Sequence, residues 1–327
     1  MKQRNYYFDY LRAVAIFMVV GIHCYNPESR EQIHLFVRNL LNCAVPLFLA
    51  ISGFFNGKKD LSTSKSHMEF LRFQIPRVYI PMLVWSVPLA YFNLRGGHSI
   101  LSTSVNFLLG GLGVFYFIAL IIQYYMLLPM MQKVLNRTGL GGVFLAFLVS
   151  EISIASIIYL RAVCGMNIPL LIYAGFFPVW LVFYMVGIYL GRYSDRAYSL
   201  FIPLLIVLVG LALSQIESSY LVSHYGTGCG VKPSSFLYAF GIILLLFSSR
   251  TEKYIRKLLG DSNQLLIYVG SISFAIYLVH LVLLGHLVNR FSGSWSIKWF
   301  LTFAISILLT QALMRTVPKK YHKYLGI

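Results

Sequence analysis

Residues 8–25 read FDYLRAVAIFMVVGIHCY. A run of this length is long enough to cross the roughly 30 Å hydrocarbon layer as a helix. Yet it contains Asp9, Arg12 and His23. An arginine at the centre of a membrane helix costs about 2.5–3.5 kcal/mol even on lenient insertion scales. Arg12 and His23 are eleven positions apart, which at 100° per residue brings them within about 20° of the same bearing, with a rise of about 16 Å between them. Asp9, one turn before Arg12, shares that face and can pair with it. The helix therefore carries a polar stripe, with Arg12 near one membrane edge and His23 in the opposite half. Taken alone, the stripe is also compatible with an arginine that snorkels to headgroups and a histidine that caps an interfacial helix end. A stripe within the hydrocarbon must instead face a bundle interior or a wet cavity.

Working outward, the rest of the chain has the same character. Of its 327 residues 58% are hydrophobic and only 11% charged, and mean hydropathy is +0.73. A soluble domain would carry about 25% charged residues. Apolar runs recur at 8–25, 33–55, 71–93, 112–132, 141–160, 173–191, 198–216, 234–249, 264–285 and 297–317. The expected fold is all-α: a polytopic transmembrane bundle of about ten helices, in a single domain covering 1–327. The first run is read as a retained span, because no small-residue cleavage site follows it.

The net charge of +17 does not form one basic stripe, so nucleic acid is not the expected partner. With the N-terminus placed in the cytoplasm, the inside segments hold 18 Lys and Arg and the outside segments 6. That asymmetry satisfies the positive-inside rule, with both termini cytoplasmic. Membrane lipid is the expected surroundings, and anionic headgroups are a further partner for the inner cations. The four cysteines show no metal-binding spacing, and no metal is expected. Cys164 and Cys229 fall in outward loops where they could pair, while Cys24 is read as structural although it follows His23.

Further polar groups lie on later spans. The third opens FLRFQIPRVYIPML, with Arg72 at its inner edge, Arg77 deeper, and Pro76 and Pro81 expected to interrupt the helix. Interrupted membrane helices often line sites. The ninth holds Ser271 and Ser273 in its inner half and His280 in its outer half. In the second, Ser52 and Gly53 read as points of close helix approach. Guanidinium groups suit phosphate, and a neutral imidazole suits proton transfer. Inner arginines beneath outer histidines suggest a phosphate-bearing donor held from the cytoplasm and a base placed further out. Glu151, mid-span, is a functional candidate by position. Glu28 and Glu31 follow the first helix outside, where they could contact an acceptor, but read first as a solvated loop.

At these residues the chain resembles the acyltransferase-3 family of integral membrane acyltransferases. DYLRAVAIFMVVGIH contains that family's Arg-x10-His pattern as Arg12 and His23. VPLFLAISGFF, FYFIALIIQYYMLLPMM and SISFAIYLVH resemble its later signatures, in order, out to His280. Ala13 stands where the family often has glycine, and the third helix has fewer arginines than is usual there. The length resembles the short branch that includes the enterobacterial common antigen O-acetyltransferase.

The resemblance implies transfer of an acyl group, usually acetyl from cytoplasmic acetyl-CoA, to a hydroxyl of a surface polysaccharide or its lipid-linked saccharide precursor, in the cell inner (cytoplasmic) membrane. His23 would be the general base or a transient acyl carrier. Arg12, oriented by Asp9, would contact the donor or thioester oxygen. Arg72 and Arg77 would hold coenzyme A phosphates, and His280 would orient the acceptor or support His23. The rival classes are a proton-coupled transporter or flippase and a non-enzymatic scaffold. Against the first, no internal repeat and no matched pair of broken helices stands in the two halves. Against the second, buried charge without a task is costly.

Overall fold

A computed structural model describes residues 5–25, 32–226, 228, 230–260, 263–290 and 293–327. Glu28, Glu31 and Cys229 lie outside the described residues, and so do the loop reading of the two glutamates and the pairing of Cys164 with Cys229. Every regular element among the described residues is helical, as hydrocarbon requires when backbone groups have no water to bond. In chain order the elements are α1 (Tyr7–Cys24), α2 (Gln32–Leu41), α3 (Ala44–Gly57), α4 (Ser64–Arg95), α5 (Ile100–Leu109), α6 (Tyr116–Thr138), α7 (Leu140–Ile158), α8 (Leu170–Tyr173) and α9 (Phe177–Arg192). They continue with α10 (Phe201–Tyr225), α11 (Pro233–Phe247), α12 (Ser249–Leu259), α13 (Gln264–Ser271), α14 (Ser273–His286), α15 (Trp295–Thr316) and α16 (Lys319–Leu325).

Among the described residues eight segments are long and apolar enough to cross a membrane, or ten if α11 with α12 and α13 with α14 each count as one span. These ten correspond one for one to the runs read from the sequence. Two details differ. The third span is not interrupted: α4 runs unbroken for 32 residues through Pro76, Pro81 and Pro88. Proline removes one backbone donor, but membrane helices tolerate it where neighbouring groups and local adjustment satisfy the freed carbonyl. The breaks fall elsewhere. The ninth span divides at Ile272, between α13 and α14, and α11 turns through 69° into α12. Ser248, extended at φ −63° and ψ 137°, caps α12 by accepting from the Arg250 N–H.

The helices form two compact units, each discontinuous in sequence. The described residues of Met1–Asp60, Met130–Ile168 and Pro178–Gly270 make up unit 1. Within it α3 and α9 cross backbone to backbone. Gly53 and Gly57 stand on one helix, Gly187 and Gly191 on the other, each pair one four-residue step apart. A Cβ on Gly53 would overlap the Tyr184 carbonyl, and one on Gly187 the Ala50 carbonyl. A Cβ on Gly57 would lie 2.9 Å from Ile188 Cα, and one on Gly191 3.0 Å from Phe54 Cα. Lipid tails are as apolar as leucine, so helices in a membrane associate through close packing, which small residues permit. The approach read at Gly53 is one of these four contacts.

Leu61–Pro129, Pro169–Phe177 and Ser271–Ile327 make up unit 2. Its core is Met82 of α4, Phe115, Ile118 of α6 and Leu278 of α14, with Tyr277 and Trp85 packed against it. Trp85 Nε1 donates to the Leu325 carbonyl at 3.1 Å and so fastens α16 to α4. Tyr79 Oη donates to the Leu108 carbonyl at 2.9 Å and fastens α5.

Candidate active site

The site residues expected from the sequence divide three and three between the units. Unit 1 holds Asp9, Arg12 and His23, all on α1. That helix is continuous over 18 residues, so the shared face of Arg12 and His23 follows from regular geometry. Arg12 Nη1 lies 2.8 Å from Asp9 Oδ1, with the carboxylate 1% and the arginine side chain 31% exposed. Asp9 sits in the first turn of α1, where exposed N–H groups favour negative charge. Its backbone is gripped as well: a Cβ on Gly270 of α13 would overlap the Asp9 carbonyl. A buried carboxylate held at both backbone and side chain fixes where the guanidinium can reach. His23 is half-buried in the last turn of α1.

An aromatic floor lies beside Arg12. Its guanidinium carbon is 5.3 Å from the centre of the Phe55 ring. Phe54, the preceding residue, stacks on Phe8 of α1 at 4.5 Å and meets Phe247 of α11 edge-on at 5.6 Å. Two further cations sit over this pair. Lys58 Nζ is 3.9 Å from the Phe54 centroid and 5.9 Å from that of Phe55. Arg196 Cζ is 5.3 Å from the Phe54 centroid.

Arg196 is itself unusual. Its φ of 62° makes it the one non-glycine residue among those described with a positive φ. That left-handed conformation costs a residue with a side chain on the order of 1–3 kcal/mol. The surroundings hold it there. The Ser249 N–H donates to the Arg196 carbonyl at 2.9 Å, and Ser249 Oγ at 3.1 Å. Its guanidinium meets Glu252 Oε2 at 2.9 Å. Glu252, buried on α12, also accepts from Asn5 Nδ2 at 3.0 Å and from Arg256 Nη2 at 3.2 Å.

Unit 2 holds Arg72, Arg77 and His280. The arginines lie five residues apart on α4, about 140° around the helix, so they face different ways. Both are exposed, and among the described residues neither makes a hydrogen bond or ion pair. His280 on α14 is fully buried. Its Nδ1 lies 2.7 Å from the Tyr277 carbonyl and 3.2 Å from that of Ile276. A carbonyl can only accept, so Nδ1 carries the ring proton and Nε2 the lone pair. This is the tautomer of a base or hydrogen-bond acceptor. Tyr277 is held in turn, its Oη donating to the Val114 carbonyl at 2.6 Å.

Three features escaped the sequence reading. Lys58 and Arg196 looked like positive-inside loop residues, and their convergence on one phenylalanine pair has no local signal. Lys232, counted among outside loop residues, is fully buried, with Nζ 2.8 Å from Asn39 Oδ1. Ser218 Oγ reaches the same oxygen at 2.9 Å. Of the other sequence candidates, Glu151 has a buried Oε1 with no hydrogen-bond partner among the described residues. Cys24 is buried. Among the described residues no cluster of three His, Cys, Asp or Glu could hold a metal ion.

A family model described as an acyltransferase domain matches residues 5–315. No curated protein and no solved structure matches the chain.

Proposed function

The chain belongs to the acyltransferase-3 family, and we propose that it is an O-acetyltransferase. In this reading it takes acetyl from cytoplasmic acetyl-CoA and passes it to a hydroxyl of a cell-surface polysaccharide or of its lipid-linked precursor. It does so as a multi-pass protein of the cytoplasmic membrane, with both termini inside and residues 1–327 acting as one domain. The match over 5–315 draws on segments of both units, which supports the last point. The observation that carries the reading is the first helix: a buried Asp9, the Arg12 it holds at 2.8 Å, and His23 on the same face three turns away.

The roles follow from the chemistry of each group. The acceptor hydroxyl attacks the thioester carbonyl. His23 takes the hydroxyl proton as general base, or carries the acyl group transiently. The tetrahedral oxyanion collapses and the coenzyme A thiol leaves. Arg12, oriented by Asp9, faces the donor or the developing oxyanion, where preorganised donors are most effective. Arg72 and Arg77 hold donor phosphates. His280, its lone pair on Nε2, orients the acceptor hydroxyl or supports His23.

Arg12→Lys tests the assignment. If Arg12 serves only as an anchor, lysine replaces it with little loss, because its stem also reaches headgroups. If the planar fork binds phosphate or oxyanion, lysine is a poor substitute. The expected result is normal expression with most acetyl transfer lost, measured as initial rate against acetyl-CoA concentration in purified membranes. Partial recovery at high acetyl-CoA marks a ground-state contact and no recovery a transition-state contact. Wild-type kinetics would return Arg12 to the role of anchor.

The topology has its own test. Reporter fusions after Ile327 and in the loop around Asp60 are expected to report cytoplasmic placement, from the asymmetry of 18 inside to 6 outside cations. An external signal from either would reverse the side from which the donor arrives.

A further inference from the structure

Three cations of unit 1 gather over two adjoining rings, and they come from three separate stretches of chain. Arg12 belongs to α1, Lys58 follows the last turn of α3, and Arg196 lies between α9 and α10. Arg12 and Lys58 stand 5.3 and 5.9 Å from the Phe55 centroid, and Lys58 and Arg196 stand 3.9 and 5.3 Å from that of Phe54. Like charges this close repel. A loop that merely obeyed the positive-inside rule would let them disperse. Here the fold enforces the gathering, and it holds Arg196 in a left-handed conformation to do so.

The two carboxylates that hold the arginines are buried. Asp9 is 1% and Glu252 9% exposed, and they aim Arg12 and Arg196; Asp60 and Asp195 are exposed nearby in sequence. Lys58 is exposed, and the Arg12 side chain is about a third exposed. Phe54 is buried beneath the cations, so the groups offered are the cations themselves. Their chemical complement is a ligand with several phosphate oxygens.

We propose that Lys58 and Arg196, with Arg12, form a phosphate-binding platform for the nucleotide portion of the acyl donor, Glu252 acting as the positioning residue for Arg196. The proposal rests on the acyl-CoA reading above and adds to it a donor contact within unit 1. The same phosphate chemistry is offered by an anionic lipid headgroup, so the test separates the two sources.

The probe is desacyl coenzyme A, titrated calorimetrically into the full chain in neutral detergent. Lys58→Gln is expected to weaken binding about tenfold, the loss of one charge-assisted contact. Lys58→Arg should recover most of the affinity, and both variants should melt with the wild type, because Lys58 is exposed. Arg196→Gln should also weaken binding, and Arg196→Lys should recover only part of it, since a guanidinium fork is needed to meet phosphate and Glu252 together. Nanodiscs of phosphatidylglycerol and of phosphatidylcholine give the second arm. Equal coenzyme A affinity in the two lipids supports the donor as occupant, and loss of binding in phosphatidylglycerol overturns it in favour of a headgroup. If Lys58 and Arg196 variants bind like wild type while Arg72→Gln and Arg77→Gln do not, the platform is wrong and the donor reading stands. If the wild type binds no coenzyme A, the donor reading falls and the platform falls with it.

Discussion

His23→Ala should yield a protein that inserts and folds yet transfers acetyl about 10²–10⁴ times more slowly, the usual cost of losing a general base. The histidine is half-buried in the last turn of α1 and is not among the residues met at the glycine crossing, so its removal leaves the packing of α3 and α9 intact. The measurement is turnover at saturating acetyl-CoA beside a melting curve for the same preparation. A rate within threefold of wild type, with the melting point unchanged, would take His23 out of the reaction and leave His280 as the remaining histidine to examine. A free nucleophile such as imidazole, added to the alanine variant, should restore part of the rate if the missing group acts on a proton.

The second large effect concerns stability. Gly187→Val should leave little folded protein. The added side chain would meet the Ala50 backbone. Backbone has no alternative rotamer, so the clash is relieved only by separating α3 from α9. Overpacking a fitted interface costs about 1–3 kcal/mol, and separation would also loosen the contacts at Gly53, Gly57 and Gly191. Gly141→Ala is the control, because the nearest atom to a Cβ there is Thr138 Cβ at 3.9 Å. The readout is the yield of monodisperse protein and its melting temperature in detergent. Equal behaviour of the two variants would mean that the crossing does not limit stability.

Much of this architecture could be read from hydropathy. Each apolar run became a span, because in hydrocarbon an apolar run has few alternatives to a helix. The Asp9–Arg12 pair was legible for a similar reason: spacing along a single helix is fixed by 3.6 residues per turn. What lay beyond reach depends on contacts distant in sequence. Nothing local distinguishes Lys58 or Arg196 from other loop cations until Phe54 is known to lie beneath both. Lys232 read as a loop residue because its partner Asn39 is 193 positions away. The expected interruption at Pro76 and Pro81 failed because proline weakens a helix only as far as its surroundings leave the freed carbonyl unmet. The break at Ile272 was missed because isoleucine between two serines carries no breaking signal.

The discontinuity of unit 1 has a consequence for how the protein is made. The chain leaves the ribosome from its N-terminus, so α1 reaches the bilayer before the other helices of its unit. Partners of its N-terminal end come late: Glu252 bonds Asn5 across 247 positions, and Gly270 packs on Asp9 across a still longer interval. Until α12 and α13 have been synthesised, α1 lacks these contacts, and residues 61–129 of the other unit are made in the meantime. A nascent chain stalled before α13 has the Asp9–Arg12 pair of α1 but lacks Gly270, which packs on the Asp9 backbone. The setting of the helix that bears Arg12 and His23 is thus completed by segments far downstream in the chain.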